Sequence, residues 1–490
     1  MAAFGEAVGQ PPAVLSFLAA VSAASVLVRG WLRADEAAMP YPCYQATAYL
    51  LERLLNTPGG SSAYGPAVSA SPATQQALLD LLLLHMLPGL AAHTARLAEE
   101  AQSLQPPQRL GWVKGLGTCA SQVAYTVTSP ALVQALITRI GQPGGAAHVQ
   151  QAARLSLALL AIPLAEDAPE RDLEALAAAH SVVAELLAAL VAAGHGILSR
   201  NEWSSGSGVQ ALTISAPAGR QSGSADELRA AQAGILSWLP QALIGVRRLA
   251  TVGCQSPHLL GLCSCAASTF HITAQSCPID SWQHIGPCAA AADAALRALP
   301  AVLQLEQAGV PAPRAGLWHQ PCSQLLLQKV WGTAVIPLFR WLEQAQKAGS
   351  PAGVQAIGQQ AAVAEAAEQL YHLHMSSCRL LQWLAGSGPG SSAAALGNWP
   401  SEGAPAEQQW WLRLVALGYV LLPACQAARL ATQGMDSLAD RECWSRRVQA
   451  MAAAHWEAIQ TVLPLCGSVL PRDVGGCCGS AAAGSREGIL

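Results

Sequence analysis

Charged and aromatic residues are scarce in this 490-residue sequence. Asp, Glu, Lys and Arg together make up 12% of the chain, about half of the ~25% that is usual in globular domains. Aromatic residues make up 5%, and the β-branched and aromatic types that favour strands are comparatively few. The formal net charge of -3 gives no basic surface of the kind that binds nucleic acid. We therefore expect no direct contact with DNA or RNA.

The motifs of common metal-dependent and nucleotide-dependent enzymes are also missing from the sequence. It contains no Cys-x2-Cys pair, no His-Glu-x2-His and no phosphate-binding loop that ends in Gly-Lys-Ser or Gly-Lys-Thr. Each of these motifs places ligands or backbone N–H groups at a spacing that its chemistry requires. We therefore expect a protein that is not an enzyme, and we assign no catalytic, cofactor-binding or metal-ligating residue and no cofactor.

Alanine and leucine, both strong helix formers, supply most of the 52% apolar content. Ser-Pro pairs precede several apolar stretches, and they predict helix starts in which serine caps a free N–H and proline takes the first helical position. These pairs are Ser71-Pro72, Ser129-Pro130, Ser256-Pro257 and Ser350-Pro351. Ser224 and Glu227 form a capping box, and the Gly-Pro-rich segments 141–145 and 386–392 predict helix ends.

The pattern predicts an all-α fold with roughly twelve to sixteen helices joined mostly by short loops. An irregular HEAT- or armadillo-like α-solenoid is our first interpretation, although no fixed repeat period is visible, and an irregular multi-helix bundle is the alternative. Two polar segments and the tail suggest this division: an N-terminal helical array at 1–200, a linker at 201–224, a central helical array at 225–386, a linker at 387–406, C-terminal helices at 407–470 and a disordered tail at 471–490.

Long hydrophobic runs raise the question of membrane insertion. Most of the apolar stretches contain 11 to 16 residues, fewer than the ~20 that a helix needs to span a bilayer. Buried helices of a protein in the cytoplasm, the nucleus or both are therefore expected, and a membrane-associated helical protein is kept as an alternative. The scattered cysteines, the absence of Asn-x-Ser/Thr and the lack of a typical leader agree with a reducing compartment.

The stretch from Cys254 to Cys288 contains five of the 14 cysteines and three of the 12 histidines. It allows two interpretations. Four ligands of a zinc ion can be chosen from Cys254, His258, Cys263, Cys265, His271, Cys277, His284 and Cys288, and the first two and the last two are four residues apart, a spacing that shares one helical face. Alternatively, these are core cysteines, since free cysteine is among the most buried residue types. Packing favours the second interpretation, and the sequence leaves metal binding here open.

Two further groups of residues invite a functional interpretation. His372 and His374 lie two residues apart in a predicted helix, so they point to different faces and cannot share a ligand. The arginine pairs Arg247-Arg248 and Arg446-Arg447 can serve as anchors for a protein partner, but solvated surface charge is the commoner role of such pairs.

Two segments are similar to helical hairpins of the importin-β superfamily. Residues 104–136, "LQPPQRLGWVKGLGTCASQVAYTVTSPALVQAL", resemble a hairpin of the transportins that import serine/arginine-rich splicing factors. Residues 239–271, "LPQALIGVRRLATVGCQSPHLLGLCSCAASTFH", resemble another hairpin, and "AVIPLFRWLEQA" at 334–345 looks like a later helix of the same array. The chain is about half as long as members of that family, and the Ran-binding amino-terminal half has no counterpart.

This resemblance implies a non-enzymatic, protein-binding helical-repeat scaffold. It is expected to act as a nuclear transport receptor, or as the cargo-binding part of one, with the Ran GTPase and nuclear import cargo as partners. A membrane-associated helical protein and a zinc-stabilised helical protein are the alternatives.

Overall fold

The computed structural model describes residues 72–100, 104–127, 132–142, 144–162, 170–194, 222–276, 282–310, 322–323, 325–326, 360–386 and 438–466. Helices account for 92% of this part of the chain, and it contains no strand. The prediction of an all-α protein is therefore confirmed. The predicted linker at 387–406, the tail at 471–490, and Ser71, Ser129 and Ser350 lie outside the described residues.

Eleven α-helices are described, together with one π-helical segment, Asp80–Met86, that joins the first two. The helices are α1 Pro72–Leu79, α2 Leu87–Glu100, α3 Pro106–Val127, α4 Val133–Ile140, α5 Ala146–Ala161, α6 Glu170–Gly194, α7 Ser222–Thr251, α8 Pro257–Ser276, α9 Trp282–Gln307, α10 Gln360–Gly386 and α11 Leu438–Cys466.

The turn between α7 and α8 follows rules that are local in the sequence. Gly253 has a φ of +88°, and the N–H groups of Gly253 and Cys254 donate to the carbonyls of Ala250 and Leu249. This is the Schellman pattern, in which the C′ position favours glycine. The Ser256 hydroxyl then accepts from the His258 N–H at 3.3 Å, so the predicted cap at Ser256-Pro257 is confirmed.

Other helix ends agree with the sequence to within a few residues. α4 ends at Ile140, directly before the predicted stop at 141–145, and α10 ends at Gly386, where the second stop begins. The capping box is a correction, because α7 begins at Ser222 and Ser224 therefore lies inside the helix. Ser222 and Gly223, which precede the box, continue the helical backbone. Assigned helix ends commonly differ by one or two residues.

The π-helical segment is explained by Pro88, which has no N–H and whose ring crowds the carbonyl one turn earlier. The Leu87 N–H donates to the Leu82 carbonyl, five residues back. In this register the Leu83 carbonyl would need a donor at Pro88, which proline cannot supply. His148 of α5, which is buried, makes the missing hydrogen bond to the Leu83 backbone.

Replacing His148 with leucine is expected to lower the free energy of unfolding by about 1–3 kcal/mol, because the buried Leu83 carbonyl loses its donor. Urea denaturation measures the loss. In the double variant Pro88→Ala/His148→Leu, the new backbone N–H at position 88 should recover part of it. A loss that is the same with proline or alanine at position 88 would contradict this role of His148.

The chain divides into two compact units, Met1–Pro278 with Leu305–Ala334, and Ile279–Gln304 with Val335–Leu490. In the first unit, α2 with α3, α5 with α6, and α7 with α8 form three helical hairpins. The first helices of the hairpins pack in the order α2, α5, α7, and the second helices pack in the order α3, α6, α8. The short α4 packs mainly on α6. In the second unit, α10 packs against α11.

The first helices of the hairpins form one row and the second helices form another, and close contacts within each row depend on particular side chains. Between α3 and α6, a Cβ on Gly117 would lie 2.9 Å from the Cβ of Ala179, so this crossing needs a glycine opposite an alanine. Between α5 and α7, the fully buried Trp238 donates its indole N–H to the Ser156 hydroxyl at 2.7 Å. A buried indole stabilises packing only when its N–H has such a partner.

Stability of the first unit should fall in acid because of His180 on α6. Its side chain is 3% exposed, and burial, assisted by Arg248, lowers its pKa from the ordinary 6.5 to about 4. Since the unfolded chain binds the proton more tightly, stability is full above the unfolded pKa and falls as the pH drops towards the folded pKa. The contribution of this group is roughly 3 kcal/mol, lost between about pH 7 and about pH 4.

The measurement is urea denaturation of the wild type and of His180→Leu across that pH range. Other buried histidines also destabilise the protein in acid, so the expected result is a difference: the wild type loses more stability than the variant. Parallel pH profiles would show that His180 does not carry the effect.

Three described helical stretches are long and apolar enough to cross a membrane by length and composition: Pro72–Glu100, Leu173–Gly194 and His284–Gln307. The apolar run at 77–90 is thus part of a longer helical stretch. In the most apolar window of each, 61%, 78% and 72% of the residues are buried within the protein.

Candidate metal centre

The Cys254–Cys288 stretch is spread over a turn and two helices. Cys254 lies in the turn before α8, so the expectation that Cys254 and His258 share a helical face is wrong. Cys263, Cys265 and His271 lie in α8, whereas His284 and Cys288 lie in α9, and Cys277 lies outside the described residues. Within the described part of the stretch, no three potential ligands come together to hold an ion.

Cysteines of this stretch instead fill apolar space. Cys254 is buried at the position of the Schellman turn that usually makes an apolar contact with the preceding helix. Cys263 is fully buried beside Cys322, and this neighbour together with burial raises the pKa of Cys263 well above its usual range. The Cys322 thiol accepts from the Ser264 hydroxyl at 3.3 Å and donates to the Leu260 carbonyl at 3.4 Å. These contacts support the interpretation as core cysteines.

A different group of ligands meets in the second unit. His374 and Cys378 of α10 and His455 of α11 each offer one ligand atom, and the three atoms lie within 4.8 Å of one another. The Cys378 sulfur is 3.7 Å from Nε2 of His374, and the two imidazole centroids are 5.5 Å apart. Among the described residues, this is the group of three that is suited to a metal ion.

Helical periodicity places these three side chains in the interface. On α10, Leu370, His374, Cys378 and Leu381 are buried at spacings of three and four residues, which puts them on one face. On α11 the buried face runs through Met451, His455 and Ala458. Two histidines and a cysteine therefore take positions where the pattern otherwise places apolar residues.

Burial sets the protonation of the group. It lowers the pKa of His374, although a hydrogen bond to the Met451 carbonyl opposes the effect. It lowers the pKa of His455 to about 4, with a smaller contribution from His374. It raises the pKa of the Cys378 thiol to about 11 against a hydrogen bond from Ser377. At neutral pH both imidazoles are uncharged with lone pairs, and the thiol keeps its proton until a cation displaces it.

Hydrogen bonds hold His374 in place only in part. Nε2 lies 3.0 Å from the Met451 carbonyl oxygen and donates to it in the matching tautomer. Nδ1 is buried and has no hydrogen-bond partner, and the whole of His374 is 0% exposed. A buried polar atom without a partner costs free energy, so His374 is a costly residue at this buried position.

Polar neighbours of this group lie on the outer side of the same helices. His372 is half-buried and pairs with Glu368 at 3.1 Å, so it does not join His374, as the spacing predicts. Glu368 also pairs with Arg447 of α11, whose guanidinium lies 5.2 Å from the ring centre of Tyr371. Arg447 therefore joins α10 to α11. Arg247, Arg248 and Arg446 are exposed.

No residue of the His374–Cys378–His455 group except His374 was singled out in the sequence. The signal that identifies part of it is His-x3-Cys at 374–378, the same spacing that draws attention to His284 and Cys288. His455 lies on another helix with no motif around it, so only the pairing of α10 with α11 reveals it.

Comparison with known proteins gives no family. The sequence matches no protein-family model, and it matches no curated protein. Function is therefore argued from the helices and side chains described above.

Proposed function

We propose that this chain is a non-enzymatic helical-repeat scaffold of the HEAT- or armadillo-like type, which binds other proteins. The observation that supports it is the order of packing in the first unit, where alternate helices of three successive hairpins form two rows. In repeat proteins each hairpin buries its apolar face against the next, and one row lines an extended binding surface. The segments that connect the hairpins differ in length and one of them contains α4, which removes any fixed period, so an irregular array agrees with the lack of sequence repeats.

An exposed face of α7 suits a protein partner. Ile244 is 41% exposed, and Arg247, Arg248 and Thr251 are exposed on the same side, since residues three and four apart are neighbours on a helix. Arginine is enriched among the residues that contribute most of the energy of protein–protein binding. Here two guanidinium groups flank an exposed apolar side chain. The partner that it suits carries acidic side chains around an apolar residue.

The test uses tagged full-length protein and a charge-reversal variant, Arg247→Glu/Arg248→Glu. Partners captured by the wild type from its own cell lysate are identified and then titrated against both proteins. A loss of affinity of tenfold or more is expected for the variant, with no comparable loss for Arg154→Glu, which changes an exposed arginine of α5. Equal affinities of all three proteins would remove this face from the proposal.

Within this scaffold function, nuclear transport is the role that the resemblance of residues 104–136 and 239–271 suggests. Residues 104–136 span α3 and the beginning of α4, and residues 239–271 span the end of α7, the turn and most of α8. Both segments are thus largely helical, residues 334–345 lie outside the described part of the chain, and the family itself is left to experiment. Capture is repeated with GTP-locked Ran. Nuclear or serine/arginine-rich partners that dissociate on addition of Ran support a complete receptor in the cytoplasm and nucleus, and partners unaffected by Ran support a cargo-binding part. Partners without a nuclear role would end the transport proposal.

Membrane association is the second candidate, and the three long apolar helices favour it. Against it, α6 contains one of these stretches and packs against α3, α5 and α8 within the first unit, so its apolar surface is already covered. Carbonate extraction of a membrane fraction separates the two proposals. Protein that remains in the pellet would support insertion, whereas release into the supernatant supports the scaffold.

A further inference from the structure

The distances in the His374–Cys378–His455 group match those of a coordinated zinc ion. With Zn–N of about 2.0–2.1 Å and Zn–S of about 2.3 Å, a tetrahedral ion sets its nitrogen and sulfur ligands about 3.6 Å apart. The observed separation of Nε2 of His374 and Sγ of Cys378 is 3.7 Å. All three ligand atoms lie within 4.8 Å of one another, so small side-chain movements bring them to one ion.

Core packing alone does not account for this group. Two imidazoles and a thiol lie on the buried faces of α10 and α11, and Nδ1 of His374 has no hydrogen-bond partner. Apolar residues would fill the same positions without the cost of burying polar atoms. A cation that accepts one lone pair from each of the three side chains offsets part of that cost.

We propose that His374, Cys378 and His455 bind a zinc ion that joins α10 to α11. One ring nitrogen of each histidine donates a lone pair, and the Cys378 thiol releases its proton to solvent as the Zn–S bond forms. For His374 the ligand atom is Nε2, the ring nitrogen that lies 3.7 Å from the Cys378 sulfur. On binding, this nitrogen gives its lone pair to the ion in place of its hydrogen bond to Met451, and the ring proton moves to Nδ1. The Met451 carbonyl oxygen, 3.0 Å from Nε2, then lies next to the cation, which its partial negative charge stabilises.

Zinc is favoured over other ions by the types of ligand. Two imidazoles and a thiolate are borderline and soft donors, which suit zinc and copper better than magnesium or calcium. Zinc has no geometric preference from its d electrons, so it accepts ligands that two helices supply at fixed spacings. The three protein ligands leave the fourth tetrahedral position to a water molecule or another donor, and their place on the facing sides of α10 and α11 lets the ion join the two helices.

The experiment measures bound metal in the full-length protein after equilibration with zinc and dialysis against zinc-free buffer. One zinc per chain is expected from elemental analysis. X-ray absorption at the zinc edge should show one sulfur at about 2.3 Å and two imidazole nitrogens at about 2.0–2.1 Å. Because this uses the wild-type chain, it decides the ligand set even if a variant fails to fold.

Variants then assign the site. Cys378→Ser and His455→Gln should each weaken zinc binding at least tenfold, with helicity checked by circular dichroism. Two matched controls, Cys443→Ser on the exposed side of α11 and His372→Ala, should bind as the wild type does. The proposal is overturned by zinc that stays bound equally well in all variants, by a shell of three or four sulfurs, or by no retained metal.

Discussion

Replacing Trp238 with alanine is expected to lower the free energy of unfolding by about 3–5 kcal/mol. The side chain is 0% exposed, and it fills the space between α5 and α7. Its truncation removes a large apolar surface from the core and leaves a cavity that the helices can only partly close. Domains are usually stable by ~5–15 kcal/mol, so this single change removes a large share of the stability of the first unit.

Urea denaturation followed by circular dichroism measures this loss, and two related variants divide it. Trp238→Phe keeps most of the ring but removes the donor to Ser156, so the expected loss is about 1–3 kcal/mol. Trp456→Ala is the matched control, because Trp456 is 48% exposed and should cost about 1 kcal/mol or less. Similar losses for Trp238→Ala and Trp456→Ala would contradict the packing described for α5 and α7.

Helix positions could be predicted because their determinants are local. The Ser256 cap and the Gly253 turn each depend on residues within a few positions, so the α7–α8 hairpin is visible in the sequence. The π-helical segment shows the limit of this approach. Pro88 suggests a local disturbance, but the donor that compensates for it, His148, comes from α5.

Contacts between distant helices could not be predicted. Trp238 and Ser156 are 82 residues apart, and the unequal spacing of the hairpins along the sequence hides the alternation of rows. The metal-binding group shows the same limit. Local density of cysteine and histidine pointed to residues 254–288, whereas the ligands that meet are a His-x3-Cys pair on α10 and one histidine on α11. Proximity in a folded chain depends on which helices pack, and composition does not report that.

Removing zinc should loosen α10 and α11 while leaving the first unit unchanged. An ion that binds only the folded form stabilises it by RT ln(1 + [Zn]/Kd), or about 2.7 kcal/mol at a free concentration 100 times Kd. That energy corresponds to about a 100-fold faster opening-dependent exchange of backbone amides when the ion is removed. We therefore expect much faster hydrogen exchange in α10 and α11 after treatment with EDTA.

Hydrogen-exchange mass spectrometry, with zinc and with EDTA, resolves the effect by helix. Peptides from α3 and α6 serve as the internal control, because these helices belong to the first unit, and their exchange should stay the same. In Cys378→Ser, exchange in α10 and α11 should already be fast and should not respond to EDTA. If zinc binds as proposed but its removal leaves both helices equally protected, the ion does not hold them together, and their apolar faces and the Arg447–Glu368 pair are sufficient. Faster exchange throughout the chain would instead place the effect of EDTA at another site.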